Sequence, residues 1–77
     1  MELTPKETIT ILYVTLGYSD KEIGQKMKIH HATVRTYLSR ILLKLAARNR
    51  AHAALKYVFI MTPEVYFKQI KALNEVL

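Results

Sequence analysis

The stretch from Tyr18 to Leu45 limits the fold more than any other part of this 77-residue chain. Ser19 followed by Glu22 is the pattern of a capping box, in which the serine accepts from the first helical turn and the glutamate reaches back. A helix therefore starts near Asp20, buries Ile23 and Met27, and ends around Lys28. A second starts near His30 or His31, where Val34, Leu38, Ile41, Leu42 and Leu45 recur at helical spacing. Its other face carries Arg35, Thr36, Ser39, Arg40 and Lys44, the donor-rich side chains that phosphates and base edges accept from. This is the sequence form of a helix-turn-helix whose second helix enters a major groove.

The charge distribution points the same way. The net charge is +6, and residues 21–56 carry more than all of it. Lys21, Lys26, Lys28, Arg35, Arg40, Lys44, Arg48, Arg50 and Lys56 stand there against a single acid, Glu22, while the flanks are slightly acidic. Such asymmetry suggests a polyanion partner. A chain this short has room for one modest core. It has no cysteine, which excludes disulfides and favours a cytosolic setting. Met1-Glu2-Leu3-Thr4 lacks the start of a signal peptide, and the longest apolar run is far too short to span a bilayer. A cytoplasmic, nucleoid-associated protein without membrane contact is expected.

The flanking segments also read as helices. Thr4-Pro5 opens the first, a threonine cap followed by proline where its missing N–H costs nothing, and Glu7 suits the positive end of that helix. Gly17 closes it as a left-handed cap. Between them Ile11 and Val14 make one stripe, and Ile9, Leu12 and Leu16 make another on roughly the opposite side. A helix apolar on both sides must be covered on both. A fourth helix, about Arg50 to Met61, is apolar nearly all round. Thr62-Pro63 then starts a fifth, with Tyr66, Ile70, Leu73 and Leu77 on one face and Lys68, Lys71 and Glu75 opposite.

Taken in order and spacing, these pieces resemble a known family. Leu3-Thr4-Pro5-Lys6-Glu7, Gly17, Ser19-Asp20-Lys21-Glu22-Ile23, Ile29, Thr33-Val34-Arg35, Ile41, Lys44-Leu45, Arg50 and Ala53-Ala54 are similar, without a gap, to the LuxR-type (GerE-like) DNA-binding domain of bacterial transcription regulators. The resemblance implies a four-helix domain that binds DNA as a dimer, with the third helix in the major groove and the fourth at the dimer contact. It implies that Arg35, Thr36 and Ser39 face bases, and that Lys21, Thr33, Tyr37 and Lys44 lie near phosphates. Leu55, Tyr57, Val58 and Met61 on the fourth helix are then the expected dimer contacts. Several positions depart from the family pattern. His30 stands at a usual serine cap, Tyr37 replaces a common histidine, and Gly24 replaces a small alanine. Ser39 and Leu43 stand where many relatives carry longer polar or basic residues, and Ile9, Leu12 and Leu16 occupy positions usually charged or polar.

Other chemistry is disfavoured. Adjacent His30 and His31 are expected to point apart, and with His52 they find no cysteine or acid cluster to complete a metal site. No nucleophile–base pattern is present, so neither an enzyme nor a cofactor is expected. The expectation is an all-α fold, with a helix-turn-helix DNA-binding domain over residues 1–61 and a C-terminal helix over 62–77 that packs on the domain or on a partner. Its function would be sequence-specific binding of double-stranded DNA as a stand-alone homodimer, with residues 31–45 in the major groove. The alternative is an interaction module that docks another regulator or RNA polymerase through its extra apolar faces. The outer stripe of the first helix and the stripe of the fifth should cover one another, within a chain or across a dimer.

Overall fold

Helix boundaries follow from side chains that satisfy free backbone groups. The computed structural model describes residues 2–76. Helix α1 (Pro5–Thr15) opens on a complete capping box, in which the Thr4 hydroxyl accepts from the Glu7 N–H at 3.2 Å and the Glu7 carboxylate accepts from the Thr4 N–H at 2.9 Å. Ser19 and Glu22 repeat the box at the start of α2 (Asp20–Met27). Helix α3 (His31–Leu45) has an unusual cap, since the His30 ring nitrogen Nδ1 accepts from the Ala32 N–H at 3.0 Å. The imidazole thus does the work of the missing serine oxygen. Asn49 caps α4 (Arg50–Ile60) through the His52 N–H, and Thr62 accepts from the Val65 N–H at 3.3 Å at the start of α5 (Pro63–Val76).

Three helix ends close in the same way. Gly17, Lys28 and Ala46 adopt left-handed backbone at φ 88, 59 and 53 degrees. In each, the next residue's N–H reaches back to close the last turn: Tyr18 to Tyr13, Ile29 to Gly24, and Ala47 to Leu42. The lysine ammonium of Lys56 donates to the Leu45 and Ala46 carbonyls, both at 3.0 Å, and pins the third cap. Gly24 is required by proximity. A Cβ there would sit 2.7 Å from the Ile29 carbonyl oxygen, so its absence lets α2 turn closely onto α3.

The core gathers around α1, which packs on α3, α4 and α5. Ile11, Leu12, Tyr13 and Val14 of α1 are buried with Ile23, Val34, Leu38, Ile41, Ala53, Tyr57 and Leu73. The outer stripe of α1 splits. Leu12 joins the core, Ile9 is half-buried, and Leu16 stays exposed. Helix α5 of the same chain lies along this side: the Thr15 and Tyr66 hydroxyls are hydrogen-bonded at 2.8 Å, and Ile9 and Leu12 share an apolar groove with Ala72 and Leu73. Tyr66 and Ile70 pack half-buried against the same core. Leu77 and the Glu75 side chain lie outside the described residues. All five described elements are α-helices, so the fold is all-α. None of the helices among the described residues is long and apolar enough to cross a membrane.

Candidate nucleic-acid interface

The tight α2–α3 turn turns one side of α3 outward. Arg35, Thr36, Ser39 and Arg40 are exposed there, and Thr33 and Tyr37 are half-buried along its margin. Thr36 donates its hydroxyl proton to the Ala32 carbonyl at 3.2 Å, which leaves its oxygen to accept. Leu43, 81% exposed, extends this side with an apolar surface rather than a donor. Lys21, near the start of α2, borders a shallow groove with Gln25, Lys28, His30 and His31. Lys21 thus shares that groove with the α2–α3 turn and with the first residue of α3. Lys28 and the two histidines add donors that the sequence pattern did not single out. Their signal was the left-handed turn, which lifts Lys28 out of α2.

The histidine pair departs from expectation. The two rings stack with centroids 4.3 Å apart instead of pointing apart, and the exposed His30 ring lies over the first turn of α3, where it caps the helix. No group of three metal-ligating side chains occurs among the described residues.

Three cations of the basic segment serve the fold. Lys44 turns inward: its ammonium donates to the Glu7 carboxylate at 2.7 Å, and Glu7 is only 1% exposed. Burial pushes the Glu7 carboxyl up, but Lys44 and the Thr4 N–H outweigh it and hold the carboxyl below its ordinary range. Lys44, expected near phosphate, is thus engaged by Glu7 in this structure. Arg50 donates to the Asp20 carboxylate and, at 2.9 Å, to the Tyr18 carbonyl. Lys56 caps α3 as described above. Lys21, Lys28, Arg35, Arg40 and Arg48 keep exposed side chains. Asp20 also approaches the exposed side of α3, since its second oxygen lies 3.5 Å from Arg35 Nε.

The outer face of α4 differs in membership from the expected contact. Leu55 and Val58 are exposed, joined by Ala51 and by Phe59 at 81%. Tyr57 is 3% exposed, and its phenol donates to the Gln69 side-chain carbonyl on α5 at 2.8 Å. Met61 is half-buried against the core. The core thus takes up Tyr57 and, in part, Met61. Phe59 was legible as the i+4 neighbour of Leu55.

Residues 1–57 match the family described as bacterial regulatory proteins, luxR family. The transcriptional regulatory protein LnrK of Bacillus subtilis is 36% identical over 71% of this chain and 25% of its own length. DesR, a transcriptional regulatory protein of the same organism, is 43% identical over 66% of this chain and 26% of its own. The response regulator protein VraR of Staphylococcus aureus is 39% identical over 74% of this chain and 27% of its own. The chain spans about a quarter of the length of these relatives. Two cap-closed helices joined by a tight turn, a donor-bearing α3 and the match over residues 1–57 lead to one assignment: this chain belongs to the luxR family of bacterial regulatory proteins, as a helix-turn-helix DNA-binding transcription regulator domain.

Proposed function

We propose that the chain binds duplex DNA sequence-specifically as a homodimer, with α3 in the major groove. The observation that carries this reading is the set Arg35, Thr36, Ser39 and Arg40, all exposed on one side of α3 beside Lys21. Arg35 reads a guanine by paired N–H donors, and Ser39 and the Thr36 oxygen meet neighbouring base edges. Lys21 and Arg40 contact phosphates, with Thr33 and Tyr37 at the groove margin. Lys44 is a fold residue in this reading. The apolar face Ala51, Leu55, Val58 and Phe59 meets the same face of a second copy, and a two-fold axis then implies inverted half-sites.

Selection of bound duplexes from a random pool, followed by gel-shift titration across salt concentrations, tests this. Arg35→Ala is expected to remove discrimination at one position per half-site, worth about 1–3 kcal/mol. Lys21→Ala should weaken all sequences alike and lower the salt slope by about 1. Unchanged affinity and base preference in Arg35→Ala would show that α3 does not dock this way. Failure to enrich any sequence would favour the other reading, an interaction module that uses Leu55 and Phe59 to hold another regulator.

A further inference from the structure

Asp20 lies at a junction of three helices. It is the first residue of α2, and one of its carboxylate oxygens accepts from Arg50 Nη1 of α4. The other oxygen lies 3.5 Å from Arg35 Nε of α3, an ion pair longer than a hydrogen bond. Arg50 is itself fixed, because its second terminal nitrogen donates to the Tyr18 carbonyl at 2.9 Å. The carboxylate therefore cannot swing away to solvent without giving up Arg50. Its two side-chain partners differ sharply. Arg50 is tied at both terminal nitrogens, whereas the Arg35 side chain is 68% exposed and is approached only at Nε.

We infer that Asp20 is a positioning residue for sequence reading: held by Arg50, it draws Arg35 by its Nε edge and presents the two terminal nitrogens of Arg35 to a base. This rests on the DNA-binding reading above. A free arginine side chain carries large rotamer freedom, and binding must remove it. A fixed negative charge beside Nε removes part of that freedom before DNA arrives. It also selects a mode. With the Nε edge facing Asp20, the end-on pair of N–H groups is what remains for the O6 and N7 acceptors of guanine. The same charge repels phosphate, so an Arg35 that strays toward the DNA backbone loses the carboxylate's attraction. Asp20 thus favours base contact over phosphate contact for that one side chain.

The test uses the full chain and a duplex selected from a random pool by the wild-type protein. Asp20→Asn keeps the shape and an acceptor for Arg50 but removes the charge. It is expected to lower guanine preference at the Arg35 position by about fivefold, the scale of one side chain's lost ordering. Affinity for random DNA should hold or rise. Asp20→Glu, which restores the charge, should recover most of the preference, and it serves as the readout if Asp20→Asn proves too unstable to fold. In an Arg35→Ala background, Asp20→Asn should change base preference no further. An equal loss with and without Arg35 would overturn the inference, because Asp20 would then act on the fold at large. Unchanged preference in Asp20→Asn, with preference lost in Arg35→Ala, would overturn it while leaving the DNA reading intact. If Arg35→Ala itself altered nothing, or no duplex were enriched, the reading would fail and the inference with it.

Discussion

At the scale of single residues, the decisive fact is that equal charges have unequal jobs. Lys44 and Arg40 are one turn apart on α3, yet Arg40 is exposed and Lys44 is bonded to the buried Glu7. Removing the ammonium leaves a carboxylate buried without its counter-charge, a loss of about 3 kcal/mol in such pairs. Lys44→Met is therefore expected to lower the melting temperature strongly at pH 7. The pH dependence has a definite sign. The folded Glu7 carboxyl lies below its ordinary value of 4.5, so its contribution is fully present above that pH and is lost as pH falls through the lower folded value. In Lys44→Met only the Thr4 hydrogen bonds remain to oppose burial, so that carboxyl lies higher than in the wild type and the variant's deficit should shrink on acidification. Thermal melts of both proteins from neutral to acid pH check this. A deficit constant with pH would refute the pairing argument. A stable variant with uniformly weaker DNA binding would return Lys44 to the phosphate contacts.

At the scale of helices, most of the fold is legible in residue order. Thr4-Pro5, Ser19…Glu22 and Thr62-Pro63 place three starts, and Gly17 places one end, because caps satisfy backbone groups locally. What local chemistry does not carry is which side chain meets which across space. Glu7 reads as a dipole partner until α3 brings Lys44 to it. Tyr57 reads as a surface aromatic until Gln69 of α5 receives its phenol. Asp20 reads only as the start of a helix until α3 and α4 deliver Arg35 and Arg50. Each correction involves partners at least twelve residues apart. Helix α5 is the clearest example, because one helix settles the surroundings of Leu12, Thr15 and Tyr57. Truncation after Met61 should then lower the melting temperature by about 10 °C, the scale of two or three kcal/mol in a domain this size. Leu73→Ala, which empties one buried position of α5, should reproduce a large part of that loss. Circular dichroism melts that superimpose for full-length and truncated chains would show that α5 adds nothing.

At the scale of the whole molecule, the proposed reading and pairing surfaces lie on different helices. Arg35 and Arg40 lie on α3, whereas Leu55, Val58 and Phe59 lie on α4, and α4 is tied to α2 through Arg50 and Asp20. Two copies joined at α4 would therefore hold two α3 helices in a fixed relation rather than on a loose tether. The protomer measures 30 × 30 × 20 Å. A two-fold axis through the α4 face would pair the α3 helices on inverted half-sites, for which one turn of duplex, roughly 34 Å, is the usual spacing. Phe59 is the residue to change, being the most exposed of the α4 face and without a place in the core. Phe59→Asp is expected to yield a folded, helical monomer, because the charge lands in water when the partner is absent. Sedimentation would show the change in mass, and circular dichroism would show retained helix. Affinity for a single half-site should be kept, while the gain from the second half-site disappears, since that gain comes only from linkage of two reading helices. A variant that remains dimeric would place the pairing surface elsewhere. A variant that stays monomeric yet binds the full site as tightly as wild type would show that the two half-sites are engaged independently.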